Sequence, residues 1–177
     1  FSESLAEGDT GGAAGFFGLS AGGSSFVYVI DCSGSMAGEK LAAALNELRR
    51  SVMALDVQMK FYLIFYNDTD LPMPATRLVD ANSGNKRKYL NWTESVTGSG
   101  GTNPLDAVKL AVSLKPDAIW LLSDGIFSAD MVDNIARANP GRIPIHTLAF
   151  GSEADVQQLQ DIAASNNGKF RVVSFGR

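Results

Sequence analysis

Oxygen-bearing side chains follow the apolar segment Phe26–Ile30 at a spacing that suits the binding of a metal ion. Residues 31–35 read Asp-Cys-Ser-Gly-Ser and supply one carboxylate and two hydroxyl groups. Oxygen atoms are the ligands that a hard cation such as Mg²⁺ prefers in proteins. A run of apolar β-forming residues predicts a buried strand, and open parallel sheets bind ligands beyond the carboxyl ends of their strands. The sequence therefore predicts a cation site at the end of the strand 26–30.

Two later segments add further oxygen ligands. Residues 100–104 (Gly-Gly-Thr-Asn-Pro) lie between two segments of helical periodicity and offer the hydroxyl group of Thr102. A second apolar run, Ala118–Leu122, is followed by Ser-Asp-Gly, in which Asp124 offers a second carboxylate. The predicted metal ligands are Asp31, Ser33, Ser35, Thr102 and Asp124.

The motifs Asp-x-Ser-x-Ser, Gly-Gly-Thr and Ser-Asp-Gly, in this order, resemble the metal-ion-dependent adhesion site (MIDAS) of the von Willebrand factor type A (vWA) family. The resemblance covers about residues 25–175. It implies that the hydroxyl groups bind a divalent cation directly, while one or both Asp residues act through water. The implied cofactor is Mg²⁺, with Mn²⁺ or Ca²⁺ as alternatives. A partner protein would then supply a Glu or Asp carboxylate to the remaining coordination position.

Each predicted ligand also has a structural interpretation when it is considered alone. Ser and Thr hydroxyl groups commonly cap the starts of helices, and Asp31 could brace a turn. The interpretation as a metal site rests on all the residues occurring together in the order of the family. Glu39 and Asp106 are left out of the ligand set, because the dipole at a helix N-terminus explains a carboxylate in either position.

A metal-dependent hydrolase or a phosphoryl-transfer enzyme is the main alternative function. Residues 18–22 (Gly-Leu-Ser-Ala-Gly) match the nucleophile-elbow pattern, and Ser20, Asp124 and His146 occur in the order of a catalytic triad. However, a nucleophile elbow must follow a strand and open a helix, whereas these residues precede the first predicted strand. His146 lies within the predicted strand 143–150 and is expected to be a packed, hydrogen-bonded core residue.

Other enzyme patterns are incomplete. A phosphoryl-transfer site built on Asp31 would need a second carboxylate at the position of Ser33. No Gly-x-x-x-x-Gly-Lys-Ser/Thr segment occurs, and residues 98–103 lack the last Gly of the dinucleotide-binding pattern. Cys32 directly follows Asp31 and should therefore face the core as a small buried residue. We predict that the chain is not an enzyme.

Composition and charge exclude several classes of partner. The chain has 177 residues and a formal net charge of −4, and its largest basic cluster is 86–88, so we expect no nucleic-acid partner. No apolar run approaches the length of about 18 residues that indicates a membrane span, so we expect no membrane contact apart from an anchor outside these residues. The chain begins with Phe1 rather than Met, which favours a fragment or a processed product. A Gly/Ser-rich stretch and glycosylation sequons at 67–69 and 91–93 favour an extracytoplasmic or membrane-anchored setting over the cytoplasm.

Alternating strand and helix patterns define the predicted fold. Residues 1–24 are expected to form a Gly/Ser-rich linker, partly docked through Phe16 and Phe17, and residues 25–177 a vWA-like domain. We predict an α/β, Rossmann-like, doubly wound domain with a mostly parallel central sheet of about six strands, helices on both faces and one short antiparallel edge strand at 77–79. The other predicted strands are 26–30, 59–66, 118–122, 143–150 and 170–175, and the predicted helices are 38–55, 86–94, 104–114, 129–138 and 154–164.

Overall fold

Strands and helices alternate through the computed structural model of the chain, which describes residues 12–151 and 154–174. The strands are β1 (Ala13–Phe16), β2 (Leu19–Gly22), β3 (Ser25–Asp31), β4 (Lys60–Tyr66), β5 (Asp70–Pro72), β6 (Val79–Asp80), β7 (Ala118–Ser123), β8 (Ile145–Phe150) and β9 (Phe170–Val173). The helices are α1 (Glu39–Ala54), α2 (Ser83–Thr93), α3 (Leu105–Ser113), α4 (Met131–Ala138) and α5 (Val156–Ser165). Within these described residues, no helix is both long and apolar enough to cross a membrane.

The main sheet is mostly parallel and has β3 and β7 at its centre. Its seven strands follow the order β5-β4-β3-β7-β8-β9, with β6 also paired to β4. All neighbours from β4 to β9 in this order are parallel, whereas β5 and β6 run antiparallel to β4. Helix α1 packs against α2, and α3, α4 and α5 pack in succession, so that helices cover both faces of the sheet. The predicted doubly wound α/β fold is confirmed.

The central strands are apolar along nearly their whole length because helices cover both of their faces. Every residue from Phe26 to Asp31 is buried, and so is every residue of β7. At the antiparallel edge the structure differs from the prediction of one strand at 77–79. It has two short strands, β5 and β6, and β5 contains Pro72. Proline lacks the N–H that an inner strand must donate, so it is tolerated at an edge.

The amino-terminal segment differs from the flexible linker that we predicted. Strands β1 and β2 pair as an antiparallel hairpin, with Phe17 and Gly18 at its turn in the left-handed region at φ 47° and 80°. The side chain of Phe16 is only 1% exposed. The centroid of its ring lies 5.3 Å from the centroid of the Tyr28 ring. Docking of Phe16 therefore occurs as expected, but through an ordered hairpin. Residues 1–11 of the predicted linker lie outside the described residues.

Candidate metal centre

The two predicted carboxylate ligands lie on neighbouring strands at the centre of the sheet. Asp31 is the last residue of β3, and Asp124 directly follows β7. In the register of these strands Ile30 pairs with Leu122, so the residues that follow each of them leave the sheet at the same level. The strand order thus brings together two carboxylates that are far apart in the sequence.

Hydrogen bonds connect four of the five predicted ligands through direct contacts. Asp31 Oδ1 accepts from the backbone N–H of Ser33 at 2.8 Å. The Ser33 Oγ and Ser35 Oγ atoms lie 3.1 Å apart, within hydrogen-bond distance. Ser35 Oγ in turn donates to Asp124 Oδ1 at 2.8 Å. A 3₁₀ turn at Gly34–Met36 directly follows Ser33 and contains Ser35, so the backbone turns where this series of hydrogen bonds forms.

The loop that carries Thr102 is held against the same cluster. Gly34 N donates to Gly100 O at 2.9 Å, and Ser99 N donates to Cys32 O at 2.9 Å. A Cβ atom added at Gly125 would lie 3.4 Å from Thr102 Oγ1, so this hydroxyl group stands beside the backbone that follows Asp124. All five predicted ligands are therefore grouped near the carboxyl ends of the central strands β3 and β7.

Both carboxylates are buried, and so is one of the three hydroxyl residues, Ser33, at 2% exposed. Asp31 and Asp124 are 0% and 1% exposed, whereas Ser35 is exposed and Thr102 is half-buried. Burial raises the pKa of Asp31, hydrogen bonds from Ser33 and Ser123 oppose that rise, and the charge of Asp124 adds to it. A buried pair of carboxylates needs positive charge nearby to remain ionised. The burial of both carboxylates therefore favours a cation beside them.

Sequence reasoning missed three side chains that contact this cluster. Ser123 Oγ donates to Asp31 Oδ2 at 2.9 Å, and Asp68 Oδ2 accepts from the backbone N–H of Gly101 at 3.0 Å. Lys40 Nζ donates to Asp124 Oδ2 at 3.0 Å. Ser123 lies inside the Ser-Asp-Gly motif and could have been included. Asp68 and Lys40 carry no sequence signal, since their roles depend on how distant loops converge.

The groups that an enzyme would use lie elsewhere or are buried. Cys32 is 0% exposed, as expected, and burial followed by the nearby charge of Asp31 raises its pKa to about 11. His146 is 5% exposed, its Nδ1 accepts from Lys169 N at 3.0 Å, and it pairs with Trp120 inside the sheet. Ser20 stands exposed in the middle of β2 and does not open a helix. The triad of Ser20, Asp124 and His146 is therefore not formed.

The donor set suits a hard divalent cation. Its atoms are all oxygens: hydrogen bonds link Asp31, Ser33, Ser35 and Asp124, and the hydroxyl group of Thr102 lies beside Gly125. Among residues 12–151 and 154–174 no cluster of three or more His, Cys, Asp or Glu residues could hold a metal ion by itself. The hydroxyl groups would therefore have to supply most of the ligands, as they can for Mg²⁺, which binds oxygen.

The family model described as the von Willebrand factor type A domain matches residues 24–172. The inter-alpha-trypsin inhibitor heavy chain H4 of Homo sapiens is 29% identical over 164 residues, which cover 82% of this chain and 18% of that protein. Heavy chain H3 of Mesocricetus auratus is 27% identical over 168 residues, which cover 83% of this chain and 19% of that protein. The chain thus spans about a fifth of the length of these relatives.

Solved structures share the fold at lower identity. A von Willebrand factor type A protein from Catenulispora acidiphila superimposes with a TM-score of 0.77 at 18% identity, covering 88% of this chain and 40% of its own. The conserved hypothetical protein BatB from Bacteroides thetaiotaomicron superimposes with a TM-score of 0.72 at 17% identity, covering 87% of this chain and 92% of its own. Proximal thread matrix protein 1 from the mussel byssus, with a zinc-occupied MIDAS motif, superimposes with a TM-score of 0.68 at 18% identity. The match covers 91% of this chain and 42% of that protein chain.

Proposed function

Because the chain belongs to the von Willebrand factor type A domain family, we propose that it is a metal-dependent protein-binding module. The observation that carries the proposal is the hydrogen-bonded chain from Asp31 through the two serines to Asp124. A cation at this point would have oxygen donors from three separate loops. Its proposed ligands are Asp31, Ser33, Ser35, Thr102 and Asp124.

The charge of the site favours capture of an anionic group. The five ligands carry two negative charges, which a divalent cation only balances. Mg²⁺ takes about six oxygen ligands, so at least one position remains for a further ligand. The exposed side of the cluster, at Ser35, faces solvent. We assign this position to a Glu or Asp carboxylate of a partner protein.

Metal binding by a neighbour in fold supports the choice of cofactor class. The mussel byssus protein has a zinc-occupied MIDAS motif, which shows that this type of fold can hold a divalent ion. For the present chain Mg²⁺ is the proposed cofactor, with Mn²⁺ or Ca²⁺ as alternatives, because the donors are all oxygens.

The proposal includes no catalytic step, no nucleic-acid partner and no membrane contact by these residues. Cys32 and His146, the two described side chains most suited to nucleophilic or acid–base chemistry, are both buried. An extracytoplasmic setting remains a prediction from the sequence. Metal-dependent turnover of a chromogenic ester or phosphate substrate would overturn the non-enzymatic part of the proposal.

Titration calorimetry with Mg²⁺ and Mn²⁺ tests the metal site. We expect one ion to bind the parent and binding to be lost in Asp124→Ala and in the double variant Ser33→Ala/Ser35→Ala. Asp106→Ala is the matched control, because this exposed carboxylate in the first turn of α3 lies outside the ligand set. Metal binding by Asp124→Ala as tight as that of the parent would show that the ligands are assigned wrongly.

Water proton relaxation of the Mn²⁺-loaded protein tests the open position. A carboxylate that enters this position displaces a water molecule from the ion and lowers the relaxation enhancement. We expect acetate to lower it and acetamide, which has the same shape without the charge, to leave it unchanged. An equal response to both compounds would argue against capture of a carboxylate. A partner protein should bind in Mg²⁺, dissociate in EDTA and bind again when Mg²⁺ is restored.

A further inference from the structure

The ammonium group of Lys40 lies inside the proposed metal site. Its Nζ atom is 3.0 Å from Asp124 Oδ2, and the two side chains are 23% and 0% exposed. The other oxygen of this carboxylate, Oδ1, accepts from Ser35 Oγ at 2.8 Å. Both oxygens of a proposed metal ligand are therefore already bonded, one of them to a positive charge.

Local helix energetics do not explain this position of Lys40. It is the second residue of α1, where the helix dipole disfavours a positive charge. Surface ion pairs contribute little, but the carboxylate in this pair is fully buried. A buried carboxylate that lost this cationic partner would carry a less compensated charge, which is costly. Lys40 therefore stabilises the charge of Asp124 rather than its own helix.

The backbone after β8 lies beside the end of the lysine side chain. A Cβ atom added at Gly151 would meet Lys40 Cε at 3.6 Å and Nζ at 3.7 Å. Gly151 has φ 87°, a conformation that glycine adopts without strain. The end of the lysine side chain thus lies between Gly151 and Asp124.

We propose that Lys40 is an internal cation that competes with the divalent metal ion for Asp124 and thereby lowers the affinity of the site for metal. The proposal rests on the proposed function. A divalent ion that approaches Asp124 meets the repulsion of the ammonium group and must share or displace it. If both cations stay, the divalent ion, the ammonium group and the two carboxylates together carry a net charge of +1. This net positive charge favours an anionic ligand. Lys40 thus lowers the affinity of the site for the metal ion and raises its affinity for the carboxylate of a partner.

Mn²⁺ affinity, measured by electron paramagnetic resonance of the free ion, tests the competition. Lys40→Met removes the charge and keeps the length of the side chain, and Lys40→Gln keeps a donor for Asp124 Oδ2 without the charge. We expect both variants to bind Mn²⁺ about tenfold more tightly than the parent, given the repulsion between nearby charges. Lys115→Met is the matched control, because this exposed lysine precedes β7, near the amino end of the strand and away from the proposed site.

Melting temperature in EDTA supplies a second readout. Lys40→Met should melt below the parent without metal, because Asp124 loses its cationic partner, and saturating Mn²⁺ should raise its melting temperature more than it raises that of the parent. Unchanged or weaker Mn²⁺ affinity in both folded variants would overturn the proposal and leave Lys40 a purely structural role. Absence of Mn²⁺ binding in the folded parent and in both variants would instead overturn the metal site itself.

Discussion

Two carboxylates at opposite ends of the central strands have different surroundings. Asp117, just before β7, accepts from Ser24 N at 2.6 Å and from Ser25 N at 3.0 Å, and its side chain is exposed. Asp31, at the end of β3, also accepts two hydrogen bonds but is 0% exposed. The bonds from Ser24 and Ser25 lower the pKa of Asp117, whereas burial raises the pKa of Asp31.

The difference separates a structural carboxylate from one that suits a cation. Water and backbone donors stabilise the charge of Asp117, which joins the exit of the β1–β2 hairpin to the start of β7. Asp31 has similar donors but little water, so its charge is fully balanced only if a cation is present. Hydrogen-bond partners alone therefore do not distinguish the two roles, and burial does. The hairpin region should control stability, and the region around Asp31 should control metal binding.

The largest expected effect is on stability, at the hairpin. Phe16→Ala should lower the free energy of unfolding by about 3–5 kcal/mol, because it leaves a cavity where a fully buried ring contacted Tyr28. Urea denaturation followed by circular dichroism measures the loss. Mn²⁺ affinity of the folded variant should stay at the parent value, and Phe17→Ala, at a half-buried position, should cost less. An unchanged midpoint in Phe16→Ala would show that the hairpin does not contribute to the core.

The next largest effect is on metal binding rather than on stability. Asp31→Asn should weaken Mn²⁺ binding more than about 100-fold, because the site loses one of its two anionic ligands. In EDTA its denaturation midpoint should not fall, since Asn keeps an acceptor for Ser33 N, can donate from its amide group to Ser123 Oγ, and removes a buried charge. Calorimetry and urea denaturation of the same samples check both statements. A variant that binds Mn²⁺ normally, or one that is strongly destabilised in EDTA, would remove the contrast with Phe16→Ala.

Much of the fold follows from the sequence because burial on both faces of a sheet requires continuous apolar runs. The segments that became β3 and β7 were recognisable for this reason, and the end of each run located Asp31 and Asp124. The hairpin was not recognised, because a Gly/Ser-rich composition is also typical of a linker. Only the two adjacent aromatic residues, Phe16 and Phe17, indicated that the segment docks on the domain. The short strand β5 was missed because three residues give too little pattern.

The predicted ligand set could be read from the motifs, but its electrostatic environment could not. Lys40 contacts Asp124 although 84 residues separate the two in the sequence. Asp68 holds the loop before Thr102 through Gly101 N, a contact that depends on where β4 ends. Such contacts depend on how loops converge in three dimensions, which spacing along the chain does not encode.

Loss of the exposed carboxylate should have a smaller effect than loss of the buried ring. Asp117→Ala should lower the free energy of unfolding at neutral pH by about 1 kcal/mol, because solvent replaces part of what the hydrogen bonds from Ser24 and Ser25 provide. Chemical denaturation in EDTA measures this loss. Mn²⁺ affinity should not change, and a change would mean that the two ends of the strands are coupled.

The pH dependence of this loss is the smallest effect and the most specific test of the comparison. The pKa of Asp117 is lowered in the folded protein, so its contribution is present above the unfolded value of about 3.9 and is lost as the pH falls through the folded value. The gap in urea midpoint between the parent and Asp117→Ala, measured in EDTA, should therefore narrow between neutral pH and about pH 3. Asp117→Asn, which stays neutral, should follow Asp117→Ala in its pH dependence. A gap that stays constant down to low pH would mean that the charge of Asp117 does not stabilise the fold and that only its shape matters.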